Sequence, residues 1–160
     1  MSDGRTNVGS KLYICTTPQP DDLEDATAYA ALTWVPIANV GSCGEFGTDE
    51  TIASYQLETG GTLKAKGFLN LKDVEVEFSP DYADAGQDAL RAAGDSDLSY
   101  AFKREKDDKL AAAGAGSIYY SRGKVKKITP VDGTGDDFIR HMTTIGLEQT
   151  PIFVEPTTGA

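Results

Sequence analysis

Asp73 to Gly94, DVEVEFSPDYADAGQDALRAAG, runs from a strand to a helix through a turn with legible chemistry, and its reading decides the fold. Val74, Val76 and Phe78 alternate with Asp73, Glu75 and Glu77. That period of two sets apolar groups on one face and carboxylates on the other, the pattern of a half-buried strand. Ser79-Pro80 ends it, because proline gives up a ladder donor and drives the preceding residue to extended dihedrals. Asp81 then stands as the cap of a helix over about residues 81–93, through Tyr82, Ala85, Ala89, Leu90 and Ala93. Gly94 suits a left-handed C-terminal position. One helix lying against a sheet is expected, with Leu90 and Ala93 beside Val76 and Phe78.

Working outward, the segment before this stretch is polar and punctuated by glycine. GTDETIASYQLETGGTLKAKG, residues 47–67, predicts a long projecting hairpin turning at Thr59-Gly60-Gly61-Thr62. Its apolar residues Ile52, Tyr55, Leu57 and Leu63 are too sparse for a core of their own, so the tip requires another surface to order it. The return strand continues through Phe68, Leu69 and Leu71, and the change of parity at Val74 predicts a bulge near Lys72 or burial of both faces at that end, either of which bends the strand. Further upstream, KLYICT (11–16) reads as a strand, DATAYAAL (25–32) as one or two helical turns capped by Asp25, and TWVPIANVGSCGEFG (33–47) as an extended pair broken at Pro36 and Gly41.

Downstream, DLSYAFKRE (97–105) alternates Leu98, Tyr100 and Phe102 on one face. Residues 106–117 read as a flexible connection, Ile118 to Tyr120 and Val125 to Ile128 as further strand, and 130–137 as a loop. Phe138 to Ile145 reads as the last clear strand, and 152–154 as an edge strand. Residues 1–10 are expected to form a flexible arm and 155–160 a tail around a single domain. The fold class is mainly β, many short strands with one flanking helix. Trp34, Val76, Phe78, Leu90, Tyr100 and Phe102 are its expected core anchors, with Ile37 and Val40 beside Trp34.

Lys and Arg number 15 against 25 Asp and Glu in 160 residues, a formal charge of -10. Such a balance argues against gripping nucleic acid or an anionic membrane by charge neutralisation. No stretch has the length and apolarity of a signal peptide or a bilayer span, so a soluble cytosolic product is expected. Cys15 and Cys43 are too few for a disulfide framework and lack zinc-site spacing. They are expected as free, partly buried thiols, with one bridge as the alternative.

Chemistry-bearing motifs are sparse. His141 stands alone at an alternating strand position and reads as structural. Asp81, Asp84 and Asp88, and Asp132, Asp136 and Asp137, do not match a calcium loop. Gly114-Ala115-Gly116-Ser117 lacks the lysine and the setting of a phosphate loop, and no serine sits in a nucleophile elbow. No catalytic constellation, metal site or cofactor site is expected.

Taken together, the alanine-rich element leading into TWVPIANVGSCGEFG, the polar hairpin, LKDVEVEFSPDYADAGQDALRAA (71–93), SYAFKRE (99–105) and GKVKKITPVDGTGDDFIRHMTTIGL (123–147) carry a resemblance over nearly the whole chain. The chain resembles the tail tube proteins of long, non-contractile bacteriophage tails. The resemblance implies a β-sandwich or barrel-like fold flanked by the helix, in a self-assembling structural virion protein built in the host cytoplasm into hexameric rings that stack around a DNA-conducting channel. It implies as partners the chain itself, a tape-measure protein, tail-tip or initiator proteins and a tail terminator, with no membrane and no cofactor. Asp73, Glu75 and Glu77 are the candidate lumen face. Glu50, Ile52, Tyr55, Leu57, Gly60, Gly61 and Leu63 form the candidate inter-ring hairpin.

A second reading is a β-sandwich carbohydrate-binding module, in which Trp34, Tyr55, Tyr119 and Tyr120 would gather on one exposed face to stack on sugars. On the tube reading, Trp34 is buried in the core.

Overall fold

A computed structural model describes residues 4–159. Residues 1–3 and 160, at the extremes of the expected arm and tail, lie outside the described residues. The strands are β1 (Lys11–Cys15), β2 (Trp34–Ile37), β3 (Val40–Cys43), β4 (Thr48–Gln56), β5 (Thr62–Leu71), β6 (Asp73–Phe78), β7 (Tyr100–Glu105), β8 (Ile118–Val125), β9 (Thr129–Val131), β10 (Arg140–Leu147) and β11 (Ile152–Val154). The helices are α1 (Ala26–Ala30) and α2 (Ala85–Gly94).

The fold is mainly β. One antiparallel sheet runs β2-β1-β7-β8-β10-β6-β3, with β11 added to β8 and β9 to β10, while β4 and β5 pair only with each other. Six spacings of about 4.8 Å would hold the outer strands of a flat seven-strand path roughly 29 Å apart. Yet Ile37 of β2 and Val40 and Cys43 of β3 join the same apolar cluster, with Leu12, Ile14, Val74, Val76, Phe78, Tyr100, Phe102, Val125 and Ile145. The sheet therefore curls around one interior, in the sandwich-like manner expected. Leu90 and Ala93 of α2 are buried in that interior beside Val76 and Phe78.

Helix α2 begins later than the sequence reading placed it. Asp84, not Asp81, is the N-cap, its carboxylate accepting from the backbone N–H of Gln87 at 2.9 Å and also from that of Ala38 at 3.0 Å. Asp81 instead turns the chain before the helix, accepting from the N–H of Ala83 at 3.0 Å. The long-range bond to Ala38 decides between two aspartates that are locally equivalent. Gly94 ends the helix without a left-handed φ. A Cβ there would stand 2.9 Å from the Lys126 carbonyl oxygen, so close approach to β8 explains the glycine.

A second cluster lies on the outer face of β1, β7 and β8. Cys15, Tyr29, Ala101 and Tyr120 are buried there beneath α1, Leu23, Ile152 and Val154. Tyr29 and Tyr120 stack at 5.3 Å between centroids, and burial pushes the Tyr29 hydroxyl up to about 12. Trp34, expected in the main core, belongs to this outer cluster and is half-buried, its indole N–H donating to the Tyr29 carbonyl at 3.0 Å. Strand alternation gives Trp34 and Ile37 opposite faces, and here both faces are covered.

Other boundaries also move. Phe138 and Ile139, read as strand, precede β10 and are 81% and 73% exposed, while Thr129–Val131, read as loop, forms β9 against β10. Pro130 is tolerated because β9 pairs on one side only. Strand β7 starts at Tyr100, leaving Leu98 exposed before it. Residues 118–125 form one continuous strand instead of two pieces. The 106–117 connection, expected to be flexible, is tied down. The Ser117 N–H and hydroxyl donate to Asp108 at 2.6 and 2.5 Å, and Thr157 donates to the Ala115 carbonyl at 2.9 Å.

Candidate assembly and channel surfaces

The hairpin β4–β5 is exposed along nearly its whole length, and its extensive packing is strand on strand alone. At about 3.4 Å per residue, the nine residues of β4 reach roughly 30 Å. The tip closes through bonds from Leu57 N–H to the Gly61 carbonyl at 2.8 Å and from Gly60 N–H to the Leu57 carbonyl at 3.0 Å. Gly60 adopts φ +95, which only glycine takes readily. Where the chain leaves the hairpin, Lys72 separates β5 from β6, at the predicted bend.

Register divides the hairpin into two unlike faces. Tyr55 lies opposite Leu63 and Ala53 opposite Ala65, so these four share one apolar face. Tyr55 is 69% and Leu63 58% exposed. On the other face Ile52 lies opposite Lys66, Ser54 opposite Lys64, and Glu50 reaches Lys66 at 3.5 Å. Among the expected hairpin residues, Tyr55 and Leu63 thus come together, while Ile52 and Glu50 sit on the charged side. Phe68, which the sequence reading did not single out, is 83% exposed beside a register shift in the pairing. The adjoining Gly67 makes room for it, since a Cβ there would meet Thr51 Oγ1 at 2.3 Å.

Asp73, Glu75 and Glu77 do share the outer face of β6. Asp73 and Glu75 are exposed, while Glu77 is half-buried and accepts from Arg140 at 3.0 Å. The surface around them is a mosaic. Lys72 binds Glu45 at 2.6 Å, and Lys126 lines one shallow cavity with Asp73, Glu75 and Glu45. Lys124 projects from the same face of the sheet, opposite Gly146, which itself lies opposite Asp73. Four carboxylates are therefore matched by Lys72, Lys124, Lys126 and Arg140, so the strip is not uniformly acidic.

The aromatic residues of the carbohydrate-binding alternative do not meet on one exposed face. Tyr120 is buried, Trp34 is half-buried above it, Tyr119 packs against Phe153 at 5.0 Å, and Tyr55 is out on the hairpin. His141 packs edge-on against Phe78 at 5.8 Å. Cys15 and Cys43 are free, and burial pushes the Cys43 thiol up. Among the described residues no group of three or more His, Cys, Asp or Glu is placed to hold a metal ion.

No protein-family model matches this sequence, and neither does any curated protein. Solved structures share its fold across almost the full length. A chain of the anti-feeding prophage baseplate, seen by cryo-EM with 6-fold symmetrisation, matches with a TM-score of 0.66 and 8% identity over 97% of this chain and 98% of that one. A chain of the cap that terminates the anti-feeding prophage tube gives 0.61 at 8% identity, over 97% and 95%. A chain of the PVC sheath-tube complex, an extracellular contractile injection system in its extended state, gives 0.57 at 9% identity, over 91% and 88%. At these identities the likeness is one of fold. The matched particles are contractile injection systems, so the likeness does not single out the non-contractile tails that the sequence resembles. What the chain shares with them is the architecture of phage-tail-like components.

Proposed function

We propose that this chain is a structural, non-enzymatic subunit of a phage-tail-like particle, which assembles with copies of itself into stacked rings around a channel. The observation that carries the reading is the β4–β5 hairpin, whose apolar face of Ala53, Tyr55, Leu63 and Ala65 has no covering element among the described residues. An excursion of that length gains a stable position only by packing on another surface. The whole-chain fold likeness to parts of tail-like particles, one of them solved with 6-fold symmetry, supports a second copy as that surface. Contacts of this head-to-tail kind close into rings when the rotation between copies permits, and hexamers are the expected ring.

The remaining assignments follow from this reading. The subunit is a virion component made in the host cytoplasm. Its further partners are a tape-measure protein, a tail-tip or initiator complex and a terminator, and DNA passes its channel. The β6 surface of Asp73, Glu75 and Glu77 is the proposed channel face. Because lysines stand beside the carboxylates, it stays non-adhesive by offering phosphate no continuous cationic track. Sedimentation of the purified chain over a concentration series tests the reading. Species at multiples of the monomer mass, with the hexamer prominent, are expected, and a monomer at every concentration contradicts it.

A further inference from the structure

Arg104 lies on the interior face of β7 in line with Tyr100 and Phe102, and only 8% of its surface is exposed. None of the ion pairs of the described residues includes it, and its guanidinium makes no hydrogen bond to any of them. It opens instead onto two adjoining cavities. One, of about 330 Å³, is lined by Asn7, Cys43, Phe46, Arg104, Lys106 and Tyr119, and also by Gly44 and Glu45. The other, of about 480 Å³, lies toward Ser10, Val40 and Ser42. Lys106 shares the first cavity and donates to Asn7 Oδ1 at 2.9 Å. Burial, and then the like charge of Arg104, hold its amine below the usual lysine range.

The carboxylates around this mouth are engaged elsewhere or face away. Glu45 binds Lys72 at 2.6 Å, and Asp108 accepts from Ser117, though its charge still reaches Lys106 as a weaker influence than burial and Arg104. Asp107 lines a wider cavity with Arg5 and Lys106, which shares Asn7 and Tyr119 with the first but does not reach Arg104. Glu105 belongs to the opposite face of β7, where burial first and then its charge raise the hydroxyls of Tyr13 and Tyr120. Two cations thus converge on one mouth in a chain that carries an excess of acid. Among the described residues the Arg104 guanidinium has no ion-pair partner, and its fork of donors can take a carboxylate or phosphate bidentately.

We propose that the mouth between Arg104 and Lys106 is an oxyanion-binding site, which takes a carboxylate or phosphate group between the guanidinium fork and the ammonium. The group comes either from a small free anion or from an acidic side chain of a second copy of this chain. The latter source rests on the assembly reading above, while the site itself does not.

The test is titration of the full chain with inorganic phosphate at constant ionic strength, followed by the NMR shifts of Arg104 Nε–H and the Cys43 amide. Saturable, localised shifts are expected in the wild type. Binding should be weaker by roughly tenfold or more in Arg104→Gln, and weaker also in Lys106→Gln, whose less buried position spares the fold. Light scattering during assembly separates the sources. If a second copy supplies the carboxylate, phosphate slows wild-type assembly by competition; if the natural ligand is a free anion, phosphate binds and the assembly rate stays unchanged. Absence of saturable shifts in the wild type, or variants that bind phosphate as tightly as the wild type, overturns the proposal.

Discussion

The side-chain amide of Gln87 donates to the carbonyl oxygen of Ala38 at 2.8 Å, tying the first turn of α2 to the corner between β2 and β3 across 49 residues. The same amide nitrogen donates to the Ser79 carbonyl at 2.9 Å, and its oxygen accepts from the Asp81 N–H at 2.7 Å. Gln87 is fully buried and its partners are half-buried, so water replaces these bonds poorly. Gln87→Leu keeps the volume but removes the partner of two carbonyls, one N–H and the Arg91 guanidinium, which donates to the same oxygen at 3.0 Å. It should cost about 3 kcal/mol or more, at 1–3 kcal/mol for each buried group left unpaired. Chemical denaturation measures the loss, and a change within about 0.5 kcal/mol would show that the amide is not holding the corner.

The hairpin should be kinetically separate from the sheet. In dilute protein its amides should exchange with solvent much faster than those of β6 and β10, and assembly should slow them. Deleting the outer turns around Gly60-Gly61 should leave the fold's stability within about 0.5 kcal/mol, because that segment packs only on itself. The shortened protein should fold and fail to stack. Hydrogen exchange on both forms, with sedimentation of the variant, checks the pair of outcomes.

Asp108 predicts a pH dependence local to the 106–117 connection. Bonds from the Ser117 hydroxyl and N–H hold its carboxyl below the usual range. A depressed carboxyl stabilises the fold fully above its ordinary value, and that contribution is lost as pH falls through the lowered folded-state value. The carboxylate is close to solvent, so the global effect is small. Exchange of the Ser117 amide should accelerate as pH falls from neutral to below about 4, after correction for intrinsic rates, and Asp108→Asn should flatten that dependence. An identical profile in the variant would assign the tether to another group.

The channel proposal turns on the β6 carboxylates. Asp73→Lys with Glu75→Lys joins Lys72, Lys124 and Lys126 into one cationic patch and leaves the Glu77–Arg140 pair intact. Both sites are exposed, so folding should be unchanged. Assembled wild-type protein should not retain DNA, whereas the double variant should bind it in a salt-dependent way, repeated at every subunit. Filter retention of DNA at two salt concentrations reads this directly. Variant assemblies that ignore DNA would place Asp73 and Glu75 away from the channel.

How much of this was legible in the sequence depended on whether the deciding interaction was local. The alternation of Val74, Val76 and Phe78 fixed their burial, and Asp25 capped α1 as its neighbours suggested. The start of α2 was not readable, because Asp81 and Asp84 both suit a cap and only the distant Ala38 N–H separates them. Trp34 lies on the outer face because α1 and β11 cover it, and alternation does not reveal which faces are covered. Phe138 and Ile139 looked like strand by composition, yet they stand in solvent ahead of β10. Arg104 does carry a local signal: in YAFKRE it shares the parity of Tyr100 and Phe102, which aims a cation inward.

Cryo-EM of the purified chain, concentrated until it assembles, tests the central claim most directly. The account predicts closed rings with a central channel, stacked into tubes, in which Tyr55 and Leu63 are buried against an adjacent copy and Glu75 faces the channel. Particles that stay monomeric at high concentration, or assemblies in which the β4–β5 hairpin hangs free in solvent, would contradict it.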